Sequence, residues 1–340
     1  MSFGAGPSLG ERCFCAKLAN MTRMGTHRFV QLDVFTEQPF AGNALAVFPD
    51  GSGIPEHEML RIAREMNLSE TVFVLQPKPA ENKSPKALRR LRIFTPTREL
   101  PFAGHPVVGT WNLLAREDVV PKPDSGTGWT RIYQELGIGT LPVDIEFEDG
   151  RIVQVVMTQG KAEFGTVLED AHVQADLIRS LGLAPEHLDE NLPIQVVSTG
   201  MKFLLVPVRA LADLRNCRIN AALLTEIYRR HGATGCYAFS QETIEVGESR
   251  ANARMFAPDD NIPEDPATGS AGGALGAYLV YHKALPDKGD NGVFKFVIEQ
   301  GDFINRASRL NVEVKGTAGA IEEVRVGGPS VVVARGEIEF

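Results

Sequence analysis

The sequence contains few cysteines, and none of them falls in a metal-binding or disulfide pattern. Among 340 residues there are four, namely Cys13 and Cys15 near the N-terminus and the isolated Cys217 and Cys236. Zinc sites and disulfide scaffolds need paired cysteines at recurrent spacings, so neither is predicted. The histidines show no ligand spacing either, and no metal is expected. Sparse, unpaired cysteines favour a reducing compartment, so we expect a cytoplasmic protein.

An excess of positive charge and long apolar runs are also missing. The formal net charge is −8, which argues against nucleic acid or an anionic membrane as a partner. The densest basic run, residues 86–92, adjoins a turn rich in Pro, Lys and Asn and is predicted to be a solvated face. No apolar run reaches the roughly 18 residues that span a bilayer. Nucleic-acid-binding and membrane-spanning classes are therefore not expected.

The apolar sequence that is present is enough for two domains. Hydrophobic residues make up 43% of the chain, which allows a sizeable core. Residues 1–26 lack hydrophobic periodicity and are predicted to be a tail outside the fold, either disordered, an over-long start or an expression remnant. A targeting segment is the least favoured alternative, because the tail has few Arg residues and no long apolar centre. We expect an N-terminal domain over residues 27–160 and a C-terminal domain over residues 161–340, whose terminal strand crosses to the first domain.

Residues 254–278 predict a strand, a loop and the start of a buried helix, reading RMFAPDDNIPEDPATGSAGGALGAY. The first backbone N–H groups of a helix have no intrahelical partner and carry the positive end of the dipole, so they can bind a carboxylate. Gly272, Gly273 and Gly276 each cost about 1 kcal/mol relative to Ala in a helix. Close packing of neighbouring backbone would recover that cost. A Gly-rich surface loop before an ordinary core helix is the alternative.

Residues 92–114 repeat this pattern and read RIFTPTRELPFAGHPVVGTWNLL. Alignment of Arg92 with Arg254 also places Pro96 on Pro258, and later strand-like runs recur in the same order. The sequence therefore predicts a duplicated α+β unit. Two like domains can place the N-termini of their buried helices at one cleft, which predicts a small substrate that carries a carboxylate.

Four motifs in chain order resemble the PhzF family of phenazine-biosynthesis-like proteins, which are relatives of diaminopimelate epimerase. They read LDVFTEQPFAGNALAVF, MNLSETVFV, FTPTRELPFAGHPVVGT and EDPATGSAGGALGAYL, and the resemblance extends from about Phe29 to the C-terminus. It implies two similar domains related by a pseudo-twofold axis, each a β-barrel-like sheet around a central helix, with the active site between them. It also implies a homodimer and a cofactor-independent isomerase in which a glutamate moves a proton on a small carboxylic acid.

The resemblance implies roles for individual residues. Glu70 of the NLSET motif would be the proton shuttle, and His105 and Asp265 would be the other catalytic groups. Residues expected to bind the substrate belong to the same motifs: they are Asn43, Gly104, Thr268, Gly269 and Ser270. Glu264 is expected to point away from the substrate.

The residues themselves also permit plainer roles. Glu70 could be a solvated carboxylate at the start of a strand, whereas burial of that strand would raise its pKa toward the range of a general acid or base. His105 could cap a helix or bind a carboxylate. Asp265 could be an ordinary acid at a helix start, and it could also accept a hydrogen bond from His105.

The sequence departs from the wider superfamily at both predicted helix starts. Epimerases of this fold use a pair of cysteines there, but residues 102–105 and 265–268 contain none. Racemisation by two thiols is therefore not expected. Relocation of a proton by a single carboxylate is expected instead. Ala44 and Asn261 are smaller departures that could alter the shape of the pocket.

Two alternatives remain open. One is a non-catalytic ligand-binding or protein-interaction module that uses the same cleft. The other is an epimerase in which Glu70 and either Asp265 or His105 act as opposed acid and base.

Overall fold

A computed structural model describes residues 25–79, 85–260, 262–285 and 289–340. Residues 1–24 of the predicted tail lie outside this part of the chain, and so do Cys13, Cys15 and Asn261. The first strand already begins at Thr26. Within the described residues, no helix has both the length and the apolar character needed to cross a membrane.

The two halves of the chain contain the following elements. In the first half these are β1 (Thr26–Val34), β2 (Asn43–Phe48), α1 (Glu56–Met66), β3 (Glu70–Leu75), β4 (Arg89–Phe94), β5 (Glu99–Leu100), α2 (Gly104–Arg116), β6 (Gly128–Leu136), β7 (Gly139–Glu148) and β8 (Arg151–Thr158). In the second half these are β9 (Glu163–Val167), α3 (Ala171–Ser180), β10 (Gln195–Ser198), β11 (Lys202–Pro207), α4 (Leu211–Asn216), α5 (Ala221–Arg230), β12 (Cys236–Ser240), β13 (Ser249–Ala257), β14 (Ile262–Asp265), α6 (Gly269–Tyr281), β15 (Val293–Gln300), β16 (Ser308–Thr317), β17 (Ala320–Gly328) and β18 (Ser330–Glu339).

Strand pairing follows the same sequence of steps in both halves. In the first half, β1 to β2 is antiparallel, β2 to β3 parallel, β3 to β4 antiparallel and β4 to β6 parallel, and β7 and β8 then follow antiparallel. In the second half, β10 to β13 and β15 to β17 repeat these steps in order. This repeat confirms the predicted duplicated α+β fold.

Two further pairings join the halves: β8 pairs antiparallel with β17, and the terminal strand β18 pairs antiparallel with β1. Within the second half, β9 pairs antiparallel with β10. The boundary between folding units at residue 160 stays a prediction.

A buried helix runs through the centre of each half. In α6, the residues from Gly269 to Val280 are all buried, and in α2 burial extends from His105 to Ala115. The glycines of α6 admit neighbouring strands: a Cβ on Gly276 would lie 2.5 Å from Val312 Cγ1 of β16. This close packing confirms the buried helix and offsets the low helix propensity of glycine.

Helix α1 positions the start of β3. Its apolar side packs against a group of rings that includes Phe48 and Phe73, whose centroids are 4.9 Å apart. The helix ends at Asn67, which adopts a left-handed conformation at φ 48°. Asparagine tolerates this conformation, and the chain then turns into β3 at Glu70.

The prediction that the basic run is a solvated face is wrong for Arg92. Its side chain is buried and donates to both carboxylate oxygens of Glu99, at 2.7 and 2.6 Å. Arg254, its counterpart in the repeat, binds both oxygens of Glu264 at 2.9 and 2.6 Å. Each guanidinium also lies 5.1 Å from the ring of the phenylalanine two residues later. These paired contacts hold the short strands β5 and β14 beside the cleft described next.

Candidate active site

A cleft of about 940 Å³ lies where the N-termini of α2 and α6 meet. The two helix starts are adjacent, since a Cβ on Gly104 would lie 3.7 Å from Gly269 Cα. No side chain among the described residues caps the first turn of either helix. Backbone N–H groups of both first turns are therefore available to an anionic ligand, and both helix dipoles favour it.

The cleft brings together nearly all of the predicted site residues. Those that line it are Glu70, Gly104, His105, Asp265, Thr268, Gly269 and Ser270. Asn43, by contrast, is 1% exposed and lies behind the lining residues. Its position supports a role in holding neighbouring side chains, whereas its predicted contact with substrate stays a prediction.

Glu70 and His105 approach each other at the centre of the cleft. Glu70 Oε2 lies 3.2 Å from His105 Nε2, and the two side chains are 12% and 7% exposed. The approach lacks hydrogen-bond alignment, so within the described part of the chain neither atom has a hydrogen-bond partner. Both atoms therefore have hydrogen-bonding capacity that no described group uses.

Burial moves the pKa values of this pair in opposite directions. Desolvation, aided by the charge of Asp265, raises the pKa of Glu70 to about 8. Desolvation lowers the pKa of His105 to about 3. Near neutral pH the pair therefore rests as a protonated carboxyl and a neutral imidazole. A carboxyl group with a pKa this close to neutrality can both donate and accept a proton.

Asp265 is held as a hydrogen-bond acceptor. Burial raises its pKa to about 6, while hydrogen bonds from Thr268 and Asn43 act in the opposite direction. Asn43 Nδ2 lies 2.9 Å from Asp265 Oδ1, and Thr268 Oγ1 donates to Asp265 Oδ2. At pH 7 Asp265 is therefore largely ionised, and both of its oxygens are engaged.

Asn43 also favours one tautomer of His105. Its Nδ2 faces Asp265 Oδ1, the carbonyl oxygen of Ala267 at 2.9 Å and His105 Nδ1 at 3.4 Å. Two of these neighbours are oxygens that accept, which fixes the amide nitrogen on this side. Both hydrogens of that amide go to the two oxygens, and an amide nitrogen accepts no hydrogen bond, so a proton on His105 Nδ1 would face it without an acceptor. The contact therefore favours the tautomer that carries the proton on Nε2, opposite Glu70. Asn43 Nδ2 thus contacts both His105 Nδ1 and Asp265 Oδ1, whereas the sequence allowed a direct hydrogen bond from His105 to Asp265.

Gln300 is a supporting residue that the sequence analysis missed. It is fully buried; its Oε1 accepts from the backbone N of Thr268 at 3.1 Å and from Tyr237 at 2.8 Å. Its Nε2 donates to the carbonyl oxygen of Asp265 at 2.7 Å and to Thr268 Oγ1 at 3.1 Å. These bonds fix the loop that presents Asp265 and begins α6. The only sequence signal was a polar residue at the end of an apolar strand.

Thiols and clusters of metal-ligating side chains are not part of this cleft within the described residues. The two described cysteines, Cys217 and Cys236, are buried outside the cleft, and burial raises the pKa of Cys217 to about 11. Among the described residues, no group of three or more His, Cys, Asp or Glu is arranged to hold a metal ion. The ionisable side chains that line the cleft are carboxyl, imidazole and guanidinium groups, the last from Arg98, rather than thiols.

Comparison with known proteins gives the same picture over nearly the whole chain. The family described as "Phenazine biosynthesis-like protein" matches residues 32–336. An uncharacterised isomerase from Clostridium acetobutylicum is 36% identical over 312 residues, covering 92% of this chain and 98% of the relative. A trans-2,3-dihydro-3-hydroxyanthranilate isomerase from Pseudomonas aeruginosa is 34% identical over 311 residues, covering 91% and 98%.

Solved structures agree with the architecture. The crystal structure of a PhzF-family phenazine biosynthesis protein from Bacillus anthracis superimposes with a TM-score of 0.80 at 27% identity, covering 93% of this chain and 99% of that one. A hydroxyproline epimerase from Agrobacterium vitis has a TM-score of 0.60 at 14% identity, covering 94% and 92%, and shares the fold. The named curated relatives are isomerases, and this chain is an isomerase in that general sense. The chain therefore belongs to the phenazine biosynthesis-like protein family.

Proposed function

We propose that this isomerase relocates a proton on a small, unsaturated carboxylic acid, with Glu70 as the single group that removes and returns the proton. The observation that carries the proposal is the buried Glu70 carboxyl, which belongs to a residue of the cleft lining, whose pKa is raised to about 8 and whose Oε2 has no hydrogen-bond partner among the described residues. A group with this pKa changes protonation state readily at neutral pH, as an acid that becomes a base must.

The surrounding groups would bind the acid and stabilise the charge that develops on it. The first-turn N–H groups of α2 and α6 would bind the substrate carboxylate. The Nε2–H of His105 would donate to Glu70 while that carboxyl is ionised, or to an oxygen of the substrate. Each of these steps uses a group of this chain, so the proposed reaction is independent of a cofactor.

Proton return on the same face is favoured over inversion. Opposed acid and base groups must hold the reacting carbon between them. Glu70 and His105 are 3.2 Å apart, which leaves no room for a carbon atom. Asp265 is a poor opposed group, because both of its oxygens already accept from Asn43 and Thr268. The geometry thus supports one acid–base group rather than two.

The cleft walls support a substrate with an apolar body. Side chains from both halves provide this surface: they are Leu100, Phe102, Ile138, Leu141, Met201 and Phe203. The two helix N-termini provide the polar end. An unsaturated ring that carries a carboxylate matches this distribution, and the hydroxylated cyclic acid named for the Pseudomonas aeruginosa relative belongs to the same chemical class. A homodimer and a cytoplasmic location are further proposals, carried by the family resemblance and the cysteine pattern.

The proposal is tested by screening small unsaturated cyclic and amino-substituted carboxylic acids for isomerisation by proton NMR. Three proteins are compared: the wild type, Glu70→Gln, and Glu65→Gln as a control for an exposed carboxylate on α1, outside the cleft. We expect turnover by the wild type and the control, and a loss of at least about 10²-fold in Glu70→Gln. Undiminished turnover by Glu70→Gln would sink the mechanism. Tight binding without any turnover would favour the ligand-binding module.

A further inference from the structure

A second cavity, of about 610 Å³, lies at the end of α2 that is remote from the cleft. Arg116, the last residue of this helix, and Asn112, one turn earlier, both line it. At about 1.5 Å per residue, the helix separates Arg116 from His105 by roughly 16 Å. The cavity shares no described lining residue with the cleft and is therefore a separate place on the molecule.

The second half of the chain shows that the fold does not require polar side chains at this end of the helix. Helices α2 and α6 are both 13 residues long, so Asn112 and Arg116 correspond to Ala277 and Tyr281. The ring of Tyr281 stacks on that of Phe164, with the centroids 3.9 Å apart. The end of α6 is thus packed with aromatic rings, whereas the end of α2 borders a cavity and carries two polar side chains.

Hydrogen bonds orient the guanidinium of Arg116. Its Nε donates to Asn112 Oδ1 at 2.7 Å, and its Nη2 donates to the carbonyl oxygen of Ser330 at 3.0 Å. Asn112 is 1% exposed, and its Nδ2 has no hydrogen-bond partner among the described residues, yet this atom is not sealed inside the protein. Nδ2 of Asn112 and Nη1 of Arg116 therefore remain as donors in the wall of the cavity.

The charge of Arg116 has no ion-pair partner among the described residues. The carboxylate of the next residue, Glu117, pairs with Arg28 instead. Partial burial and the nearby charge of Arg335 lower the pKa of Arg116, so the protein does not compensate this cation. An oriented guanidinium without a carboxylate of its own can bind the carboxylate of a ligand through parallel hydrogen bonds.

The rest of the lining restricts what else the ligand carries. Four exposed, charged side chains of the lining form no ion pair within the described part of the chain, and three of the four are acidic: they are Glu37, Glu148, Asp149 and Arg151. This excess of negative charge favours an ammonium group and disfavours a dianion such as phosphate. Apolar side chains complete the wall: they are Ile152, Val153 and Val331.

We propose that this cavity binds a small amino acid with an apolar side chain, whose carboxylate binds Arg116 and Asn112 and whose ammonium group faces the acidic side chains. The site uses no group of the cleft, so the inference goes beyond the proposed function and does not depend on it. A ligand bound there contacts the last turn of the helix whose first turn carries His105.

Calorimetry with the full chain tests the proposal. The probes are L-leucine and L-phenylalanine, their analogues without the amino group (4-methylpentanoate and 3-phenylpropanoate), their analogues without the carboxylate (3-methylbutylamine and 2-phenylethylamine), and inorganic phosphate. We expect at least one of the two amino acids to bind the wild type with a Kd of about 1 mM or lower. Its own analogues and phosphate should bind at least about tenfold more weakly, because each lacks or misplaces one charged contact.

Three variants assign the binding to this cavity. Arg116→Met keeps the stem and removes the guanidinium, so we expect the amino acid to bind at least about tenfold more weakly. Asn112→Ala introduces the residue that α6 has at the corresponding position, and we expect a loss of about threefold or more. Arg151→Met is the matched control, since it removes a positive charge from the same cavity but no oriented donor; its Kd should change less than about threefold. Thermal unfolding establishes that each variant is folded.

Several results overturn the inference. They are a wild type that binds neither amino acid, an analogue or phosphate that binds as tightly as the amino acid, and an affinity that is unchanged in Arg116→Met and Asn112→Ala. Equal losses in Arg116→Met and Arg151→Met would show a general effect of charge and overturn it as well. Failure of the proposed function is distinguishable, because Glu70→Gln abolishes proton transfer but leaves these Kd values at those of the wild type.

Discussion

Replacement of Glu70 by Gln should change how the stability of the protein depends on pH. Burial holds the pKa of Glu70 at about 8, against about 4.5 when the group is solvated. Between these values the folded protein binds a proton that the unfolded chain does not. Glu70 therefore contributes stability that is fully present below pH 4.5 and is lost as the pH rises through 8. Glutamine does not titrate and removes this dependence.

The size of the effect follows from the pKa difference. Within the window, each pH unit lowers the free energy of unfolding of the wild type by about 1.4 kcal/mol relative to the variant. Integrated from pH 5 to pH 8, the difference between Glu70→Gln and the wild type should grow by roughly 3 to 4 kcal/mol as an upper limit. Asp265 and His105 titrate in both proteins, so their contributions largely cancel in the difference.

Urea denaturation followed by fluorescence and circular dichroism at several pH values between 5 and 8 would measure this difference. We expect the free energy of unfolding of Glu70→Gln to increase steadily relative to that of the wild type as the pH rises. A difference that stays constant within about 0.5 kcal/mol would refute the reasoning, because a Glu70 of ordinary pKa is ionised throughout this range. It would also remove the main physical support for Glu70 as an acid that becomes a base.

Further predictions concern the supports of the site and the packing of α6. Asn43→Leu removes the amide N–H groups that donate to Asp265 and to the carbonyl oxygen of Ala267, so we expect about 1 to 3 kcal/mol lower stability and a pH–rate profile displaced by the raised pKa of Asp265; an unchanged profile would contradict this role. Gly276→Ala should cost about 1 to 3 kcal/mol in urea denaturation, because the new Cβ would lie 2.5 Å from a Val312 methyl group. In Gly104→Ala the nearest atoms to the new Cβ would be 3.7 Å away, so this variant should be as stable as the wild type. Equal losses of stability in Gly276→Ala and Gly104→Ala would argue against this packing.

Much of the fold was predictable because its signals are local or repeated. The Gly-rich run after Pro266 predicted a buried helix, and the likeness of residues 92–114 to residues 254–278 predicted the duplication. Helix α1 was bounded by a proline and an asparagine, and the structure begins and ends it there. These features depend on propensity and periodicity, which a single sequence displays.

The supports of the site were not predictable in the same way. Asn43 meets Asp265 across 222 positions of sequence, and Gln300 meets Thr268 across 32. Side-chain bonds over such separations depend on tertiary packing, for which one sequence carries no periodic signal. The basic run was predicted to be solvated because it adjoins a turn rich in Pro, Lys and Asn, but Glu99 and Glu56 neutralise Arg92 in the folded chain.

The most direct test of the central claim is the exchange of carbon-bound hydrogen with solvent. Wild type and Glu70→Gln would each be incubated in D₂O with an acid that the wild type isomerises, and deuterium at the reacting carbons would be followed by NMR. We predict that the wild type incorporates deuterium at the carbon that receives the proton and that Glu70→Gln incorporates none above the buffer rate. Exchange by Glu70→Gln at the wild-type rate would contradict the claim that Glu70 carries the proton.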